Sequence, residues 1–178
     1  PAWRGMHLGN PGGAPANASL GRDTLRMFAM TPAQPDFDIL TFDFDRDLER
    51  TRETAAINDA VATLLGGFAG HGGKLILYQG LSDQAIAPGS LRAWYEKITP
   101  RTNEGPQQWA RLFQVPGMLH CAGGQATDQF DLLTAIQAWV EKGEAPDRVV
   151  ARSATAFPGR TRPLCPYPKV ARYTGCLL

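Results

Sequence analysis

Histidine and cysteine are scarce in this chain of 178 residues, which contains three of each. The cysteines Cys121, Cys165 and Cys176 form no C-x-x-C pair, and no H-x-x-x-H spacing accompanies them. A zinc site usually needs such closely spaced ligands, so a metal role for the pair His120-Cys121 has little support. Because the number of cysteines is odd, an oxidising compartment would leave at least one free or paired outside this chain.

The chain also lacks a calcium loop, a long apolar run and a basic cluster. The acidic stretch "DFDRD" has Leu48 where a calcium loop needs glycine and Thr54 where it needs glutamate. No apolar run approaches the roughly 20 residues that span a bilayer. The net charge is +1 and the basic residues are scattered, unlike a nucleic-acid-binding surface. We therefore expect no cofactor, no metal ion, no nucleic acid and no membrane as partners.

The start of the chain, "PAWRGMHLGN", has no initiating methionine and no secretory signal pattern, so the compartment cannot be read from it. Hydrophobic residues make up 43% of the chain and charged residues 20%, as in an ordinary globular protein. The length is sufficient for one domain with a substantial core.

Apolar patterning predicts alternating strands and helices after an irregular start that contains one brief helix, "DTLRMFAM". The predicted strands are an extended segment over 37–45 and two buried strands, "GGKLILYQG" at 72–80 and "ARLFQVPG" at 110–117. The predicted helices lie over 45–67, 90–98 and 127–146, the last capped by Thr127 or Asp128 and ended by Gly143 and Pro146. The Pro-rich tail from 151 is expected to be irregular coil. This order predicts an α/β fold with parallel strands.

Asp83 and His120 follow the two buried strands, in "GLSDQAI" and "GMLHCAGG". In parallel sheets, chemistry sits on the loops beyond the carboxyl ends of the strands. An acid after one strand and a histidine after the next is the acid-then-base order of an α/β-hydrolase, in which the aspartate fixes the imidazole tautomer and the histidine takes a proton from a serine. The alternative is that Asp83 makes a turn and His120 is an ordinary loop histidine.

Several segments together resemble the tannase and feruloyl esterase family of α/β-hydrolases. They run in family order over about residues 36 to 175: "FDILTFDFDRD", "GGKLILYQGLSDQAIAPG", "PGMLHCAGG", "AIQAWVEKGEAPDRVVA" and "RPLCPYPKVARYTG". The resemblance implies that Asp83 is the acid and His120 the base of a serine triad. It also implies that Cys121 is one half of a disulfide to the loop that carries the nucleophile, and that the protein is secreted or periplasmic.

The nucleophile itself is missing from the sequence. The family places its serine on a G-x-C-S-x-G elbow far upstream, and no serine here has such flanking residues (Ser19, Ser82, Ser90 and Ser153). We therefore expect the C-terminal part of an α/β-hydrolase core, preceded by the end of a lid segment. The expected divisions are 1–46 for the lid end, 47–150 for the core and 151–178 for a Pro-rich tail packed on it.

Two functional hypotheses follow. In the first, the chain is part of a serine esterase that acts on aromatic acyl esters, feruloyl or galloyl, through an acyl-enzyme, and is inactive alone. Its partners are then the substrate and either the N-terminal half of the enzyme or another copy of the chain. In the second, it is an inactive remnant or interaction module of the same fold. Cys121 is expected to be free or bonded to another chain, whereas Cys165 and Cys176 either pair with each other or are both free.

Overall fold

The computed structural model describes residues 2–98 and 105–175. The chain forms two compact units, Pro1–Val61 and Ala62–Leu178. The division into lid end, core and tail at residues 46 and 150 concerns the roles of these segments and stays a prediction.

The first unit consists of short helices and turns. Its α-helices are α1 (Ala2–His7), α2 (Ala16–Thr24) and α3 (Arg52–Asn58). Helix α2 continues into a π-helical turn, Leu25–Ala29, and 3-10 turns occupy Ile39–Thr41 and Asp47–Thr51.

The extended segment predicted over 37–45 is wrong, because aspartate side chains bind the local backbone there. Asp38 accepts a hydrogen bond from the Leu40 N–H at 3.0 Å, and Asp43 accepts from the Asp45 N–H at 2.9 Å. The buried Asp47 accepts from the Asp43 N–H and from the Arg46 guanidinium, which holds the pKa of Asp47 well below its usual range. Such bonds favour turns over a strand even where apolar and polar residues alternate.

The long helix predicted over 45–67 is also interrupted. Helix α3 ends at Asn58, and Asp59 after it is extended, with φ −70° and ψ 111°. Helical structure returns as α4 (Gly66–Gly70) in the second unit.

The second unit contains the predicted parallel strand pair. Strand β1 (Leu75–Gly80) pairs with β2 (Ala110–Val115) in register from Leu75↔Ala110 to Gly80↔Val115. Helix α5 (Pro88–Lys97) and a 3-10 turn (Pro106–Gln108) lie between them in the chain, and α6 (Leu132–Lys142) follows. Both buried strands and both helices of this region are thus confirmed, with the mixed α/β class.

Helix α6 starts later than predicted. Its N-cap is Asp131, which accepts from the Thr134 N–H at 2.9 Å, rather than Thr127 or Asp128. It ends, as predicted, at Gly143, which has the left-handed conformation with φ 73°.

The tail is not irregular coil throughout. Strands β3 (Val149–Arg152) and β4 (Thr161–Leu164) form an antiparallel pair. Further on, Pro166 bridges to Phe113, and the Tyr167 N–H donates to the Leu112 carbonyl at 2.7 Å. The tail therefore lies along β2.

Strand β2 contributes to two hydrophobic clusters because alternate side chains of a strand point to opposite faces. Leu112 belongs to a cluster with Tyr95, Ile98, Trp109 and Ala110. Phe113 and Val115 belong to a second, with Met118, Ala126, Val149, Ala151 and Leu164. Within the described ranges, no helix is long and apolar enough to cross a membrane.

Candidate functional site

The loop after β1 places Asp83 by a turn built on its own carboxylate. The Asp83 N–H donates to the Gly80 carbonyl at 3.3 Å. Oδ1 of Asp83 accepts from the N–H groups of Ala85 at 2.8 Å and Ile86 at 2.9 Å. These bonds fix the carboxylate and leave Oδ2 for another partner.

The loop after β2 forms a tight turn that contains His120. The Leu119 N–H donates to the Gly123 carbonyl at 3.2 Å, and the Ala122 N–H donates to the His120 carbonyl at 2.9 Å. Cys121 has φ 63°, in the left-handed region that glycine normally occupies. Gly123 and Gly124, with φ 74° and 84°, complete this turn.

The two loops touch directly at the end of β1. The Ser82 N–H donates to the Met118 carbonyl at 3.0 Å, and the Leu81 N–H donates to the Val115 carbonyl at 2.9 Å. A Cβ on Gly80 would collide with the Met118 carbonyl oxygen. Glycine at this position therefore allows the close approach of the base loop to the strand end.

Asp83 and His120 are brought together as the sequence predicted. Nδ1 of His120 lies 3.0 Å from Oδ2 of Asp83. The Asp83 side chain is 5% exposed and that of His120 is 42% exposed. With Nδ1 donating to the carboxylate, Nε2 is the ring nitrogen left to accept a proton. The geometry is that of an oriented base, and the catalytic roles of both residues stay a prediction.

Asp83 is held as an anion at this position. Burial is the largest single influence and raises its pKa, but hydrogen bonds from the Ile86 N–H, the His120 ring and the Ala85 N–H together outweigh it and lower the pKa overall. A charged carboxylate beside Nδ1 stabilises an imidazolium, so the pair can accept a proton from a hydroxyl and pass it on.

Sequence reasoning missed two residues that contact the base loop. The Gln84 Oε1 accepts from the His120 N–H at 3.3 Å, and Asp128 accepts from the Gly123 N–H at 2.9 Å. Gln84 follows the predicted acid, so its contact could have been anticipated from the adjacency of the loops. Asp128 was interpreted as a possible helix cap, which hid its contact with the loop.

Cys121 is exposed and free, and Cys165 is half-buried and free. No disulfide joins them, and Cys176 lies outside the described residues. The predicted bond from Cys121 to a nucleophile loop requires a cysteine from another polypeptide segment and stays a prediction. Across residues 2–98 and 105–175, no cluster of three or more His, Cys, Asp and Glu side chains could hold a metal ion.

Comparisons with known proteins point to one family. The family model described as "Tannase and feruloyl esterase" matches residues 12–176. A mono(2-hydroxyethyl) terephthalate hydrolase of Piscinibacter sakaiensis is 41% identical over 195 residues, covering 97% of this chain and 32% of that protein. A probable feruloyl esterase B of Aspergillus clavatus is 30% identical over 164 residues, covering 80% of this chain and 28% of that protein.

The solved structures agree in fold. The crystal structure of feruloyl esterase B from Aspergillus oryzae superposes with a TM-score of 0.76 at 25% identity, covering 98% of this chain and 37% of that one. The chain thus spans 32% and 37% of the lengths of two of the relatives that it matches.

Proposed function

This chain belongs to the tannase and feruloyl esterase family of α/β-hydrolases, and on that premise we propose that it supplies the acid and base of a serine carboxylic-ester hydrolase. The observation that carries the proposal is the 3.0 Å contact between Asp83 Oδ2 and His120 Nδ1 on adjacent loops at the carboxyl ends of β1 and β2. Asp83 and His120 then act as triad acid and base.

In the proposed reaction, His120 Nε2 removes the proton from a serine hydroxyl as the oxygen attacks the ester carbonyl. The same proton passes to the leaving alcohol, and an acyl-enzyme forms. His120 then deprotonates a water molecule, whose oxygen attacks the acyl-enzyme, and the imidazolium returns the proton to the serine oxygen as the acid is released. Asp83 stabilises the imidazolium in both halves and keeps Nδ1 protonated.

The serine lies outside these 178 residues. None of the chain's own serines has an elbow sequence, and the chain spans about a third of its relatives. The partner in the proposal is therefore the N-terminal portion of the hydrolase, which carries the nucleophile and a cysteine for Cys121. We propose a secreted or periplasmic location on the family resemblance, and such an oxidising compartment is what the proposed disulfide needs.

The proposed substrates are esters of aromatic acids. The names of the relatives refer to feruloyl and terephthalate esters, and both acyl groups carry an aromatic ring. The acyl class of this protein is proposed by similarity to them. The alternative function is an inactive remnant or interaction module. The lack of an elbow serine in this chain supports that alternative as well.

The test compares the chain alone with the chain joined to the sequence encoded upstream of Pro1. Release of acid is followed from methyl ferulate, methyl gallate and an aliphatic control, methyl butyrate. We expect negligible hydrolysis by the chain alone and turnover of the aromatic esters by the joined protein. Ser82→Ala, next to the acid in this chain, should leave that turnover intact.

Two results would contradict the proposal. Hydrolysis by the isolated chain that disappears with Ser82→Ala, or with replacement of another of its serines, would place the nucleophile within these residues. A folded joined protein that hydrolyses none of the esters would favour the inactive remnant.

A further inference from the structure

Asp128 connects the base loop to the β3–β4 hairpin. Its Oδ2 accepts from the Gly123 N–H at 2.9 Å, and its Oδ1 accepts from the Ala154 N–H at 3.1 Å. One carboxylate therefore bonds at the same time to the loop that carries His120 and to the segment that follows β3.

The backbone on which Asp128 stands is fixed. The neighbouring Gln129 pairs with Arg152 through two backbone hydrogen bonds, of 2.9 and 2.8 Å. Ala126 and Thr127 are buried, and Ala126 belongs to the hydrophobic cluster around Phe113. Asp128 thus holds the loop against a part of the molecule that is itself packed into the core.

Gly123 links Asp128 to the residue that precedes His120. Gly123 donates its N–H to Asp128 and accepts, through its carbonyl, the N–H of Leu119, the residue before His120. A loop rich in glycine loses much conformational entropy when it is ordered, so its shape depends on such outside bonds. The connection runs from Asp128 through Gly123 and Leu119 to His120.

We propose that Asp128 is a positioning residue, which holds the base loop so that His120 Nδ1 stays on Asp83. The part of this inference that concerns catalysis rests on the proposed esterase function. The part that concerns the loop rests on the contacts alone.

The charge of Asp128 suits this role. The Gly123 N–H is the largest influence on its pKa and lowers it, and the Ala154 N–H acts in the same direction. The side chain is therefore an anion through the neutral range and accepts both amides continuously. Asparagine offers one oxygen and turns an NH₂ group toward the second amide, so Asp128→Asn loses at least one of the two bonds.

The first test reads the His120 ring directly in the whole chain. Long-range ¹H–¹⁵N spectra assign the ring nitrogens of the three histidines, with His7→Gln, His71→Gln and His120→Gln as references. We expect the neutral His120 ring to occupy the Nδ1–H tautomer in the wild type and a mixture of tautomers in Asp128→Asn.

The matched control is Asp131→Asn. Asp131 also accepts a backbone N–H and has a lowered pKa, but its carboxylate bonds to Thr134 of helix α6 rather than to Gly123. This variant should lower the melting temperature and leave the His120 signals unchanged. If Asp128→Asn lowers the melting temperature while its His120 signals match the wild type, Asp128 is merely structural and the proposal is overturned.

Asp128→Glu keeps the proposal testable if Asp128→Asn does not fold. The added methylene moves the charged oxygens away from the Gly123 N–H without removing the charge. We expect a mixed His120 tautomer here too, and a wild-type tautomer would contradict the proposal.

The second test uses the joined esterase. Displacement of a catalytic group by about 1 Å can cost roughly 100-fold in rate, so we expect Asp128→Asn to lower kcat by roughly 10-fold to 100-fold with KM within about twofold. Asp131→Asn should leave kcat unchanged at a temperature where it is folded. If the joined protein is inactive while the tautomer changes as expected, the esterase proposal fails and the positioning role stands.

Discussion

The two oxygens of the Asp83 carboxylate have different hydrogen-bond partners. Oδ1 bonds to the backbone of Ala85 and Ile86, and Oδ2 contacts the His120 ring. Because Oδ1 is bonded to the backbone, the carboxylate itself is oriented without a further side chain. This division suits an acid whose task is to hold a histidine in one tautomer.

Asp83→Asn should therefore lower kcat in a joined esterase that still folds. The amide can present an N–H to Nδ1 and favour the wrong tautomer, a change that lowers kcat by about 10⁴-fold in a well-studied serine protease. Steady-state kinetics with methyl ferulate measure it. Glu144→Gln, at an exposed position after α6, serves as the control and should retain full kcat. A kcat for Asp83→Asn within about threefold of the wild type would remove Asp83 from the mechanism.

Asp83 should also make the stability of the isolated chain depend on pH. Its pKa is lower in the folded protein than in the unfolded chain, where it is about 3.9. The stabilisation is then complete above the unfolded value and is lost as the pH falls through the folded value. Urea unfolding of the wild type and Asp83→Asn should show a gap at pH 6 that narrows below about pH 4. A gap that stays constant down to pH 2.5 would contradict this assignment.

At the scale of elements, the contact between the end of β1 and the base loop depends on one missing side chain. Gly80→Ala places a Cβ against the Met118 carbonyl, whereas Gly89→Ala, in α5, meets nothing within 4 Å. We expect Gly80→Ala to destabilise by about 1–3 kcal/mol, as overpacking does. Gly89→Ala should be neutral or stabilising. Thermal unfolding measures the stability of both variants. Equal melting temperatures would mean that the close approach of the base loop to Gly80 is not required.

The same elements show what could be predicted from the sequence. Strands β1 and β2 are short apolar runs bounded by residues typical of loops, so the local sequence is sufficient to predict where they lie. The contact of Asp83 with His120 followed because parallel strands end at one edge of a sheet. The structure thus contains the predicted contact between Asp83 and His120, and a nucleophile outside this chain stays a prediction.

The features that the sequence did not predict have physical causes of their own. In residues 37–45, aspartate side chains bind the backbone and override the alternating pattern. Strand β4 contains Pro163 and reads as coil, yet it pairs with β3 because the proline stands at an edge position. Asp128 was missed because its partners, Gly123 and Ala154, are brought to it only by the fold.

At the scale of the molecule, β1 has an unpaired edge. Among the described residues it pairs with β2 and with no other strand, and Tyr78 on it is 44% exposed. An open strand edge is a site of association. We therefore propose that the rest of the hydrolase covers it, and that a second copy of this chain takes that place when the chain is isolated.

Light scattering of the isolated chain tests this proposal. We expect self-association at micromolar concentrations, and we expect Tyr78→Lys to reduce it because a charge on an edge strand opposes pairing. Val170→Lys, at an exposed position in the tail, is the control and should associate like the wild type. Circular dichroism checks that each variant is folded. A wild-type chain that is monodisperse and monomeric at high concentration would contradict the edge proposal.

The central claim is that His120 is the base of an esterase completed by a serine from outside this chain. It is tested most directly by kcat for methyl ferulate hydrolysis by the joined protein carrying His120→Ala, beside His71→Ala, a change at an exposed histidine that bonds its ring to the Gly67 carbonyl. We expect His120→Ala to lower kcat by about 10³-fold or more and His71→Ala to leave it unchanged. A folded His120→Ala protein that retains most of the wild-type kcat would contradict the assignment of His120 as the base.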